Sequence, residues 1–206
     1  ASAGISSNTG SISLDKNVYP TPWGGVSASK LRCGDDATGA SNCSTYYGNV
    51  TIWITVHEPD NANDTLTCAA LSCVKINLDG TTIATAGNVA GSSAGTTAAL
   101  EELGPLSETS RGSQDYEVSY TIPEFMDKAV VRIASGSVIQ AEYVDPSDAG
   151  GLSLSVYDSA SFDQRNASLS LDKDTYVLGA DMVLTLNEPD LNLDSSTAES
   201  YHASLL

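Results

Sequence analysis

Val50-Thr51-Ile52-Trp53-Ile54-Thr55-Val56 alternates without a break: four β-branched apolar residues at even positions, with Thr, Trp and Thr between them. A period of two places Val50, Ile52, Ile54 and Val56 on one face of an extended strand, whereas a helix would scatter them around its circumference. Weaker versions of the pattern lie on both sides. They run through Ile12-Ser13-Leu14, Val74-Lys75-Ile76-Asn77-Leu78 and residues 116–122, and through 129–133, 138–143 and 152–157. Asp79-Gly80, Gly136 and Asp148-Ala149-Gly150-Gly151 separate them as turns. One helix is expected, over residues 97–103, stopped by Gly104-Pro105. Seven or more short strands with no long amphipathic helix predict an all-β chain: an immunoglobulin-like β-sandwich followed by the start of a second, similar unit. The Cys-Trp-Cys signature of antibody domains is absent, so the expectation concerns architecture, not kinship.

The second unit is read from an internal repeat. Ser13-Leu14-Asp15-Lys16-Asn17-Val18-Tyr19 returns as Ser170-Leu171-Asp172-Lys173-Asp174-Thr175-Tyr176, so that Leu14 and Leu171 lie 157 positions apart. Glu58-Pro59-Asp60 returns as Glu188-Pro189-Asp190, 130 positions on. The first copy therefore holds 27 additional residues between its motifs, the difference of those two offsets. They fall at about 23–49, a Gly- and Ser-rich insert expected to be a loop stapled by its own disulfide. Residues 1–165 then form one unit, and 166–206 a partial second repeat or a strand-donating tail.

The chain has 206 residues, 26 acidic against 9 Lys and Arg, and a net charge of −17. Nucleic acid is excluded as a partner on charge, and no apolar run is long enough for a membrane helix. Cys33 with Cys43, and Cys68 with Cys73, are each spaced to close a small loop; no C-x-x-C zinc spacing occurs. Three connectivities are possible, and nearest-neighbour disulfides are expected, which implies an oxidising compartment. Sequons at Asn42, Asn49, Asn63 and Asn166 agree with an extracellular, glycosylated chain.

Acidic residues gather after strands, in Glu58-Pro59-Asp60-Asn61-Ala62-Asn63-Asp64 and in Glu188-Pro189-Asp190-Leu191-Asn192-Leu193-Asp194, with Asp145 in a further stretch. Crowded carboxylates repel unless a cation lies between them, and oxygen-only ligands at alternate positions suit calcium. The expected ligands are Glu58, Asp60, Asp64, Asp145, Glu188, Asp190, Asn192 and Asp194. An Asx-rich turn with solvated charges is the alternative use. Catalysis is not expected. The histidines are His57 and His202, the repeat replaces His57 by Asn187, and no nucleophile elbow is present.

The repeated frame Ser-Leu-Asp-Lys-x-x-Tyr and Glu-Pro-Asp-x-Asn-x-Asp resembles the surface-layer proteins of ammonia-oxidising archaea. Tyr19-Pro20-Thr21-Pro22-Trp23-Gly24 and residues 142–151 resemble stretches at corresponding places in that family. The resemblance implies immunoglobulin-like domains in a porous extracellular lattice, with bound divalent cations and N-linked glycans. A filament whose 166–206 strands add to a neighbour is the alternative, and a calcium-dependent carbohydrate-binding or adhesin module a further one.

Overall fold

The computed structural model describes residues 8–23, 31–35, 41–45, 48–68, 73–87, 100–126 and 131–198. The protein is nearly all β, with two large sheets and three hairpins. The first large sheet runs β1 (Ser11–Leu14), β5 (Val50–His57), β11 (Asp115–Ile122), β10 (Leu106–Glu108), β6 (Thr65–Leu66). The second runs β2 (Val18–Pro20), β15 (Leu154–Asp163), β14 (Val138–Asp145), β7 (Val74–Leu78), β8 (Thr81–Ala86), β9 (Glu101–Glu102). The hairpins are β3 (Leu31–Asp35) with β4 (Ser41–Thr45), β12 (Phe125–Met126) with β13 (Val131–Arg132), and β16 (Ser168–Leu171) with β17 (Leu184–Asn187). A short 3₁₀ turn covers Pro189–Leu191.

The alternation that opens the sequence is realised in β5, where Val50, Ile52, Ile54 and Val56 are wholly buried. From the other sheet, Val74, Ile76 and Leu78 of β7 and Ile139, Ala141 and Tyr143 of β14 join the same cluster. One core thus lies between the two sheets. Such burial is the main favourable term, at roughly 1.5–3 kcal/mol per large apolar side chain.

Three local expectations change. The helix over 97–103 is not formed in its described part. Glu101–Glu102 is instead a parallel edge strand beside β8, with Leu103 N bonding Thr85 O at 2.9 Å. Residues 97–99 lie outside the described residues. A helix of two turns has a costly nucleus, and the open edge of β8 offers backbone partners at no such cost. The strand expected over 152–157 is Leu154–Asp163, drawn out by eight paired positions along β14. In the second repeat the alternation of Met182-Val183-Leu184-Thr185-Leu186 predicts a strand from Met182, and the strand formed is Leu184–Asn187.

The insert is closed at its base by a bridge between Trp23 and Gly48, with N···O distances of 3.0 Å both ways. The indole lies directly over Gly48, where a Cβ would stand 2.1 Å from it, so only glycine fits. Within the insert the backbone register sets Cys33 opposite Cys43; their side chains lie outside the described residues. The Cys68–Cys73 disulfide is present.

Candidate functional site: the acidic loops and the joint between repeats

Among the described residues, Glu58 and Asp145 are the buried acids of the first unit, 4% and 1% exposed. Both lie beside Gly10, at the pole where β1 begins. Asp145 Oδ2 accepts from Gly10 N and Oδ1 from Ser147 N, each at 2.8 Å. Glu58 Oε2 accepts from the Tyr143 hydroxyl at 2.6 Å, and Oε1 from Asp60 N at 3.1 Å. Burial, then the hydrogen bond and charge of Glu58, then the charge of Asp145, push the Tyr143 phenol far above its usual value. The approach is tight: a Cβ on Gly10 would stand 2.8 Å from Glu58 Oε2. Asp60, exposed, turns back to accept from Asn8 N at 2.8 Å and Asn8 Nδ2 at 3.1 Å.

The second acidic loop repeats the bonds made by Asp60. Asp190 N donates to Glu188 Oε1 at 3.1 Å, and Asp190 Oδ2 accepts from Arg165 N at 2.8 Å. Asn8 and Arg165 are equivalent under the 157-residue offset. Arg165 adds its own side chain, with Nε 3.1 Å from Asp190 Oδ1 and a guanidinium nitrogen 2.7 Å from Pro189 O. The Glu-Pro-Asp motif is thus a turn device. Glu caps the turn, Pro fills a position that needs no N–H, and Asp ties the turn to the chain entering the first strand.

Asp15 and Asp172 likewise share one role. Asp15 Oδ1 accepts from the Tyr19 hydroxyl and from Trp53 N, and Asp172 Oδ1 from the Tyr176 hydroxyl and Val183 N. Lys16 and Lys173 lie over the Tyr19 and Tyr176 rings, at 5.9 and 5.7 Å from the centroids. This clamp appears in the sequence only as the recurrence of Asp-Lys-x-x-Tyr.

The second loop also joins the repeats. Leu193, 7% exposed, enters the core of the first unit, and its carbonyl accepts from Thr51 N at 2.9 Å. Asp194 Oδ1 accepts from Trp53 Nε1 at 2.9 Å, Lys16 Nζ reaches Asn192 at 3.2 Å, and Ser195 bonds to Asp15. Burial alone would raise the Asp194 pKa, but the bonds from Trp53 and Ser196 outweigh it and hold the carboxyl below its usual range. In the first loop Asn63 stands where Leu193 does, so that loop carries no apolar plug.

Of the eight expected calcium ligands, Glu58, Asp60, Asp145, Glu188, Asp190 and Asp194 each accept from protein N–H or O–H groups. Asn192 faces Lys16, and exposed Asp64 lies near Glu108 and Arg111. Among the described residues no group of three or more His, Cys, Asp or Glu has a geometry that holds a metal. Asn63 and Asn166 are exposed; Asn49 is half-buried with Oδ1 unpartnered; the side chain of Asn42 is outside the described residues. His57 Nδ1 pairs with Asp115 Oδ1 at 2.7 Å on the outer face of the first sheet. Among the described residues no helix is long and apolar enough to cross a membrane.

No family model matches the chain, and no curated protein matches it.

Proposed function

We propose that this chain is a structural module of an extracellular surface layer, built from immunoglobulin-like β-sandwich repeats that assemble with copies of themselves. The observation that carries the reading is the joint. Two copies of one hydrogen-bonded frame follow each other, and the acidic loop of the second plugs Leu193 into the first. Reuse of a local frame with its own inter-unit contact is the economy of a repeat array.

The immunoglobulin-like assignment rests on sheet order. One sheet reads β1-β5-β11-β10-β6, and the other β2-β15-β14-β7-β8-β9, with β2 parallel to β15. Within these, β1-β5-β11-β10 is compatible with an ABED order and β15-β14-β7 with GFC, which supports the reading, while β6, β8 and β9 are additional strands toward the edges. The resemblance to surface-layer proteins of ammonia-oxidising archaea points the same way. The net charge of −17 concentrates cations at the surface. Calcium, with its irregular oxygen shell, suits acids contributed by neighbouring copies rather than by one loop. Asn63 and Asn166 are the open glycan acceptors.

The test is electron microscopy of native cell envelopes with antibody to this chain, alongside purified protein with and without calcium. Labelled, ordered sheets or rows at the cell exterior are expected. Labelling confined to the cytoplasm overturns the reading.

A further inference from the structure

A cavity of about 550 Å³ lies at the pole where Glu58 meets Tyr143, and both sheets line it. Its volume is within the roughly 300–1,000 Å³ of small-molecule sites. Leu66 of β6 forms one wall, Val144 of β14 another, and the Cys68–Cys73 disulfide lies on the connection from β6 to β7. That connection is fixed in place. Cys68 N donates to Gly87 O at 2.9 Å, and Val144 N donates to Cys73 O at 2.8 Å. A Cβ on Gly87 would stand 2.6 Å from Cys73 Sγ, so the disulfide is packed closely from behind. The cavity is thus built by the fold and needs no rearrangement to exist.

Its polar end is Glu58, 4% exposed, beside the wholly buried Tyr143. Each oxygen of Glu58 accepts one bond, from Asp60 N and from the Tyr143 hydroxyl. A carboxylate offers about four lone-pair positions, so each oxygen keeps one free. Asp60 lines the same cavity, and the charges of Glu58, Asp145 and Asp60 all reach the Tyr143 phenol. Among the described residues no Lys, Arg or His pairs with any of these three acids. Lys75 also lines the cavity, but its Nζ is 3.6 Å from Glu142 Oε2 and its charge is matched there. A carboxylate so far out of water without a counter-charge is costly. Water in the cavity would fill its lone pairs and leave the charge unmatched, whereas a cation meets both needs. The apolar walls in turn call for an apolar body behind that cation, which a hydrated metal ion does not bring.

The wall is not part of the repeated frame. Glu58 recurs as Glu188, but the same 130-residue offset sets Ser196 and Ala198 where Leu66 and Cys68 stand. The second unit keeps the acid and not the wall beside it.

We infer that this cavity binds a small organic cation, an amidine, guanidine or amine carried on an apolar body, with its head at Glu58 and its body between Leu66, Val144 and the disulfide. The inference goes beyond the self-assembly reading and does not depend on it.

The experiment uses the full chain and three probes of one shape: benzamidine, cationic at neutral pH, benzamide, neutral, and benzoate, anionic. Calorimetry and amide chemical shifts follow their binding. Benzamidine is expected to saturate one site, with shifts centred on Thr67, Lys75 and Val144. Benzamide and benzoate are expected to bind at least about tenfold more weakly, as the loss of a charge-assisted bond implies. Thr67 is exposed and lines the cavity, so Thr67→Trp is expected to block it without altering Glu58. Glu58→Gln is expected to weaken benzamidine by about tenfold. Asp174→Asn, at an exposed position elsewhere, controls for general attraction to a chain of net charge −17 and should bind as the wild type does. Thermal melts verify that each variant is folded; if Glu58→Gln is not, Thr67→Trp and the shift map still decide. Absence of saturable benzamidine binding overturns the proposal. So does equal affinity for benzamide, and so does benzamidine binding that Thr67→Trp leaves unchanged.

Discussion

Replacing Asp145 by alanine separates two uses of a buried carboxylate. In the structure Asp145 is 1% exposed and accepts two backbone N–H groups at 2.8 Å, from Gly10 and Ser147. Alanine leaves both donors without their acceptor. An unsatisfied buried donor costs about 1–3 kcal/mol. Gly10 is buried and carries the full penalty, whereas Ser147 is only half-buried and reaches water more easily. Removing one of the three acids near Tyr143, the others being Glu58 and Asp60, relieves some repulsion and offsets part of the loss. The net expectation is a destabilisation of about 3 kcal/mol, equivalent to a melting shift of roughly 6–12 °C for a domain of this size. Asp174→Ala, at an exposed position, is the control and should melt like the wild type. Scanning calorimetry with calcium and with chelator decides the cause. If the N–H bonds account for the effect, Asp145→Ala lowers the melting point equally in both conditions. If chelation lowers the wild type by a similar amount and leaves Asp145→Ala unmoved, Asp145 is a metal ligand, and the hydrogen-bond reasoning is refuted.

Leu193→Ala should undock the second loop at a cost of about 2 kcal/mol, the low end for a buried leucine, since the residue sits at the rim of the core. Faster amide exchange at Thr51 and a shift in Trp53 emission would register it, and unchanged exchange would count against the joint. Reducing Cys68–Cys73 should lower stability by about 2 kcal/mol, as expected for so short a loop, read by chemical denaturation before and after reductant. Burial holds the Tyr19, Tyr120 and Tyr143 phenols well above their ordinary value, at Tyr19 with the Asp15 hydrogen bond, at Tyr120 with the charge of Glu101 and at Tyr143 with the Glu58 hydrogen bond. Folded-state values above the unfolded value mean that their contribution is intact below pH about 10 and is lost as the pH rises beyond it. Tyrosinate absorbance should therefore appear in two stages, the later one coinciding with loss of circular dichroism; a single smooth titration without unfolding would contradict the burial.

The outcome differs from the sequence reading in instructive ways. Strict alternation made β5, β7 and β11 legible, because a period of two is a direct trace of one buried face. Residues 97–103 misled because a short Ala- and Glu-rich run is a fair helix former in isolation, and nothing local announces the open edge of β8. The acidic loops were visible as clusters, but the partners of their oxygens were not. Backbone N–H groups from Gly10, Asn8 and Arg165, remote along the chain, compete for them.

By itself the sequence determined the β class, the repeat and its two offsets, and the acidic charge. These are properties of spacing and charge that survive any folding. Only the tertiary structure decided that Asp15 and Asp172 are clamps, that Asp145 and Glu58 are buried acceptors, and that Leu193 is a plug while Leu169 and Leu184 lie open. Burial and hydrogen-bond partnership depend on which strands are near, and identical motifs in the two repeats have different neighbours.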